Sequence, residues 1–304
     1  MINSCSMRKS ALPLEKLHTF VKFFFSNAKL SQQTTKRGRP REYDDTLIIS
    51  LWLYQTLNGY SYRETLEKAQ QQGFEVPSLH DYYYRVEQLD EELLKLILEQ
   101  CAKLLLHENK IQFYIADATG FAFGDKYNLN WQRGTEVRTV KSHVRLEVIA
   151  VVDEDGKRVI TAVETGGPYA SEVKMLKKAL ERIETSKKVP FIADRGYDAV
   201  DIVQKLLEKG FEPAIKIKET MRMRIRHPLR KLSKGNWGKY GKNRYMIEQM
   251  FGSIKQKVGS SFMVLREDIA RKAALACAIL WNFYILATFL FLSLLFYVVS
   301  HRDV

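Results

Sequence analysis

Apolar positions change their spacing twice along this 304-residue chain, and the changes divide it into three parts. From residue 1 to about 108 the spacing is helical. "DDTLIISLWLYQTLNG", Asp44 to Gly59, predicts a helix that stops at Asn58-Gly59. In "SYRE", Ser61 and Glu64 form a capping box, so a second helix starts there and ends near Gly73. "PSLHDYYYRVEQL" opens a third at Ser78, with Asp81 near its positive end. Thr34 to Tyr43, "TTKRGRPREY", is basic and contains Pro and Gly, as a linker or arm does. Three short helices with tight turns fit a helix-turn-helix unit whose last helix offers Tyr82, Tyr83, Tyr84 and Arg85 to DNA. They equally fit a small bundle with its tyrosines inside.

From about residue 109 the period shortens to that of strands. "IQFYIADATGF" (Ile111 to Phe121), "HVRLEVIAVVD" (His143 to Asp153) and "RVITAVETGG" (Arg158 to Gly167) read as strands, the last two joined by the turn "EDGK". A helix over about Ser171 to Glu184, the strand "VPFIAD", a helix over about Asp198 to Lys209, the strand "EPAIKIKE" and a helix near Tyr245 to Lys257 follow. Three strands and then alternating helices and strands make a mixed sheet flanked by helices, in the order of the ribonuclease-H-like fold. The expected division is a helical DNA-binding part at 1–108, the α/β part at 109–272 and an apolar C-terminal helix or helices at 273–304.

That last part is uncharged from Ala273 to Val299. Its length meets the rule of thumb for a membrane span, roughly 20 apolar residues. A helix packed on the core or at an oligomer interface meets it equally, and is the reading adopted. Near the N-terminus "VKFFF" is too short for a signal core. Cys5, Cys101 and Cys277 are odd in number and far apart, which excludes a disulfide framework or a zinc site and suits a reducing, intracellular setting. A formal charge of +13 favours an anionic partner such as nucleic acid or an acidic membrane surface. Most of it lies between Lys216 and Lys257, where thirteen Lys and Arg face two acids, Glu219 and Glu248. "MRMRIRHPLRKLSKGNWGKYGKNR", Met221 to Arg244, interleaves cations with Trp237 and Tyr240 and reads as a DNA-tracking loop, against the plainer reading of a solvated basic loop.

Candidate chemistry lies where strands end in acids. "FYIAD" ends at Asp117 and "PFIAD" at Asp194, each with a glycine within three residues. In an open α/β sheet the ligand crevice lies beyond the carboxyl ends of the strands. Two carboxylates brought together there repel unless a cation sits between them, and hard divalent ions such as Mg²⁺ or Mn²⁺ suit such donors. Glu248 is the candidate third acid. Arg244, four residues earlier, and Lys255, seven later, share its helical ridge. That ridge suits a phosphoryl-transfer site; a plain ion-pair network has the same spacing. Asp198 reads as a helix cap, Asp125 as a loop acid, His143 as structural or near the crevice, and Lys141 as a candidate phosphate contact.

These residues resemble the DDE transposases of bacterial and archaeal insertion sequences over about Gly38 to Leu286. "ADATGF" resembles the first acidic block, "VKSHVRLEVIAVVDEDGKRV" the strand after it, and "ADRGYD" the second block. Arg244, Glu248 and Lys255 keep the last three spacings of the family's Tyr-x2-Arg-x3-Glu-x6-Lys signature, but Gly241 stands at the tyrosine position and Tyr240 is displaced by one. The span from Asp194 to Glu248 leaves no room for a large β insertion domain. The resemblance implies that Asp117, Asp194 and Glu248 hold two Mg²⁺ ions, Mn²⁺ being an alternative, for cleavage and strand transfer of DNA. It implies double-stranded DNA as partner, both element ends and target, with Arg244 and Lys255 on phosphate near the cut; Lys141, Trp237 and Arg85 are the further DNA contacts that the residues themselves suggest. A homodimer on DNA, association with the nucleoid in the cytoplasm and no membrane partner are the accompanying expectations. The rival readings are a catalytically silent DNA-binding relative and a membrane-anchored basic protein.

Overall fold

The computed structural model describes residues 7–27, 42–106, 110–124, 128–133, 136–185, 187–218 and 227–300, with the backbone alone over 128–133, 136–141 and 290–300. Helix α1 (Leu14–Asn27) is followed by α2 (Asp45–Asn58), α3 (Tyr62–Gln71), α4 (Leu79–Glu87) and α5 (Glu91–Leu105). Their ends follow from the local sequence. Gly59, at φ 69°, takes the left-handed position that closes α2. The capping box at α3 is complete: Glu64 N–H donates to Ser61 Oγ (3.2 Å) and Ser61 N–H to Glu64 Oε2 (2.8 Å).

The sheet contains β1 (Ile111–Phe123), β4 (His143–Asp153), β5 (Arg158–Gly166), β6 (Pro190–Ala193) and β7 (Glu212–Ile215) in the order β5-β4-β1-β6-β7, and β8 (Ser261–Phe262) adds to β1. The β1/β4 and β4/β5 pairs are antiparallel; the β1/β6 and β6/β7 pairs are parallel. Helices α6 (Glu172–Glu181) and α7 (Val200–Glu208) form the crossovers. Three antiparallel strands followed by two parallel ones, with β1 central, make this the ribonuclease-H-like mixed sheet. One feature went unpredicted. The chain makes a two-stranded hairpin, β2 (Asn128–Arg133) with β3 (Glu136–Lys141), before it returns as β4.

The basic stretch corrects another expectation. It is helical over α8 (Pro228–Tyr240), then a 3₁₀ turn, Gly241–Arg244, leads into α9 (Tyr245–Val258). Pro228 stands in the first turn of α8, where its missing N–H costs nothing. Met221 to Arg226, which the DNA-tracking reading included, lie outside the described residues, as does Asp125.

Side chains of β1 alternate between two cores. Phe113, Ile115, Phe121 and Phe123 enter the larger, with α9, the N-terminal helices and the final helix α10 (Glu267–Ser300). Tyr114 and Ala116 enter the smaller, with residues of α6 and α7. The division expected at 272/273 therefore falls inside one continuous helix. Over Glu267–Phe289, α10 is long and apolar enough to cross a membrane, yet 89% of its most apolar window is buried in the protein. Several of its described polar groups face protein partners. Asn282 pairs with both backbone groups of Ile160 on the edge strand β5 (2.7 and 3.0 Å). Trp281 donates to Arg158 O (2.7 Å), and the buried Lys272 ammonium donates to Val86 O and Glu87 O at the end of α4.

Candidate active site

Parallel pairing of β1 with β6 places Ala116 opposite Ala193, so Asp117 and Asp194 follow at the same level; β6 ends there, but β1, expected to end at Asp117, continues to Phe123 beside β4. Asp117 belongs to the odd-numbered side of β1, the side that α9 covers, and Glu248 lies in the first turn of α9. The sheet register and one helix thus bring three acids, far apart in sequence, together at the carboxyl end of β6.

A single guanidinium joins them. Arg244 Nη1 donates to Glu248 Oε1 at 2.6 Å, and Nη2 lies 3.0 Å from Asp117 Oδ2 and 3.7 Å from Asp194 Oδ2. Asp117 also accepts the N–H of Ala118 at 2.9 Å. Burial raises the Asp117 carboxyl above its ordinary value; Arg244 works against that shift, and Asp194 adds to it. Burial alone would lower Arg244, but the three acids together raise it. Arg244 Nε is buried without a hydrogen-bond partner.

Among the described residues, no three acids, histidines or cysteines stand close enough to hold a metal ion. The guanidinium occupies the point on which Asp117, Asp194 and Glu248 converge. In donor type the set fits a hard divalent cation, being all carboxylate oxygen. In spacing it fits Arg244.

The remaining predicted residues are placed less uniformly. Lys255 Nζ lies 5.3 Å from the ring centroid of Phe121, four residues beyond Asp117 on β1, and burial lowers its pKa. Lys141 closes β3, and its side chain is outside the described residues. Trp237 is half-buried against the core, and a Cβ on Gly241 would lie 2.5 Å from its ring. That indole packs on the 3₁₀ turn from within α8, which corrects its placement in a loop. Arg85 is also corrected: it is 7% exposed, donating to Tyr43 O (2.9 Å) and Asp45 Oδ1 (2.6 Å). It lies one helical turn after the buried Tyr82 and so points inward, whereas Tyr83 and Tyr84 are exposed. Asp198 does not cap α7, whose N-cap is Ala199: it accepts from Arg230 Nε (2.9 Å) and Lys218 N (2.8 Å), tying α8 to the loop after β6. Tyr240 points to Glu212 (3.3 Å), not to the acids.

One acid was missed. Glu147, fully buried in β4 and opposite Ala118, accepts a hydrogen bond from Tyr197 Oη at 2.8 Å. Burial pushes its carboxyl well above the ordinary value, and the charge of Asp117 adds to this. A lone acid inside the apolar run "LEVIAVV" was the available signal.

Residues 108–283 match the family described as the transposase DDE domain. The chain belongs to the DDE transposase family. An uncharacterized protein of Aquifex aeolicus (strain VF5) is 32% identical over 270 residues, 86% of this chain and 84% of its own length. The family match ends well inside α10, so the transposase DDE domain includes the buried half of that helix. Among solved structures, this DDE-family chain is similar to the piggyBac transposase synaptic complex with hairpin DNA, at 8% identity and a TM-score of 0.46, over 91% of this chain and 74% of that one. It is also similar to the Mos1 strand transfer complex, at 10% identity and a TM-score of 0.29, over 87% of this chain and 82% of that one. Both likenesses are distant.

Proposed function

We propose that the chain binds the terminal inverted repeats of its own insertion sequence and, with divalent metal, cuts and joins DNA at Asp117, Asp194 and Glu248. The observation that carries this reading is the convergence of those acids, from β1, the end of β6 and α9, on one guanidinium. They are the three acids of the family resemblance, in its order. Held by them, two Mg²⁺ or Mn²⁺ ions would supply a nucleophile at neutral pH and offset charge on the leaving 3′ oxygen. The protein's own part is to hold the acids and to receive phosphate. Asp117 sits on the central strand, paired with Val148 of β4 and one residue beyond the β1/β6 pairing, which fixes its backbone while leaving its β6 side open. Lys255 has no carboxylate partner among the described residues and rests over Phe121, which leaves its charge for a DNA phosphate. Arg244 offers a second cation once it is released from the acids. Lys141 and the exposed Tyr83 and Tyr84 are candidate contacts further along the duplex. Association as a dimer on paired element ends belongs to the same proposal.

The test is cleavage of a duplex carrying the element's terminal repeat with Mg²⁺. Asp117→Ala, Asp194→Ala and Glu248→Ala are each expected to lower the rate by at least about a hundredfold while repeat binding persists. Cutting at the parent rate by any of them removes that residue from the site. A parent chain that binds the repeat but cuts with neither Mg²⁺ nor Mn²⁺ would be a silent relative.

A further inference from the structure

Arg244 is placed where its own electrostatics do not favour it. It precedes the first turn of α9, at the positive end of the helix, where a cation is repelled. Its Nε is buried and unpartnered. Its described ion pairs are with Asp117, Asp194 and Glu248. Those acids in turn stand around the guanidinium and not around a point small enough for one metal ion. We infer that Arg244 is the resident cation of this site: it keeps the three acids assembled before metal arrives, and is exchanged for metal. The inference rests on the assignment of the acids proposed above.

The exchange follows from charge and geometry. A divalent ion concentrates twice the charge at one point and draws carboxylates closer than a planar guanidinium does. Once they turn to it, Arg244 loses its partners while its helix end still repels it. The 3₁₀ turn that carries it opens toward solvent at Lys242 and Asn243, and its side chain is already 27% exposed, so it has a way out. A nearby DNA phosphate is the natural new partner, since arginine binds phosphate and carboxylate with the same fork. Arg244 is on this account a positioning residue in the metal-free protein and a phosphate contact in the loaded one. Metal binding and phosphate binding are then coupled, and the coupling is reciprocal.

The test is Mn²⁺ affinity, measured by calorimetry on the full chain without DNA. Arg244→Ala and the longer, neutral Arg244→Gln are expected to bind Mn²⁺ about two- to fivefold more tightly than the parent, because a partly exposed ion pair no longer has to be broken. Arg244→Lys, which keeps the charge, should stay near the parent. DNA cleavage by Arg244→Ala should nevertheless fall. Tighter metal with slower cutting is a pair of changes that a merely structural arginine would not produce. Unchanged or weaker Mn²⁺ binding by folded Arg244→Ala and Arg244→Gln would overturn the inference. Asp194→Asn separates the two layers. If it abolishes Mn²⁺ binding while Arg244→Ala leaves binding unchanged, only the exchange is wrong. If it leaves Mn²⁺ binding intact, the acids are not the metal site and the exchange falls with them.

Discussion

Glu147 shows how strongly one side chain can be bound to its surroundings. It has no exposure, one oxygen held by Tyr197 and the other without a partner. Burial opposes its charge first of all, and the neighbouring charges of Asp117 and Glu172 oppose it further. The folded chain therefore keeps a proton there at pH values where the unfolded chain has lost it. Stability contributed by such a group falls as pH rises above the ordinary carboxyl range; below that range both states are protonated and the difference vanishes. Asp117, raised by burial, has the same sign. Glu147→Gln cannot ionise and still accepts from Tyr197. Its urea midpoint relative to the parent should climb between about pH 5 and pH 9. Parallel midpoints over that range would mean that Glu147 is ionised in the fold. The contrast with Asp117 and Asp194 explains what was legible. Acids that end an apolar run are visible because the run stops at them, whereas an acid inside a run needs the cross-strand partner to be known before its burial is evident.

The elements around the acids were mostly legible from period alone, because amphipathic crossovers and buried strands repeat at different spacings. Helix α8 was not. Gly235 and Gly238 dilute its apolar stripe, and its density of cations resembles a solvated loop; Pro228 in the first turn was the one local sign of its start. The junction of α8 with α9 also accounts for the departure from the family signature. A Cβ on Gly241 would meet the Trp237 ring at 2.5 to 2.9 Å, so no tyrosine fits there while the indole keeps its place. Gly241→Ala should push the indole away, costing about 1–3 kcal/mol by urea unfolding. Because Gly241 opens the turn that carries Arg244, cleavage should fall as well. Combining it with Trp237→Leu should cost less than the two single changes added together. Strict additivity would show that the ring and the glycine do not restrain one another.

At the scale of the whole molecule, composition could not decide the role of the C-terminal run. A buried core helix and a membrane span are equally apolar and equally long. What separates them is the placement of the few polar groups, and Asn282 is the decisive one. It satisfies both backbone groups of Ile160 on the edge strand of the sheet, beside the β4/β5 register shift, where among the described residues no further strand does so. Through Lys272 and α4 the same helix reaches the N-terminal helices, and side chains from α1, α2, the sheet and α10 share one continuous core. A break in the middle of α10 should therefore be felt on both sides of it. Asn282→Ala leaves a buried N–H and a buried C=O unpaired, a loss of about 2–4 kcal/mol. Hydrogen exchange read separately on α2 and on β4 should show protection in both falling by the same free energy. Protection lost from β4 while α2 keeps its own would mean that the helical part holds together independently, and that α10 joins two separate domains instead of forming the centre of one.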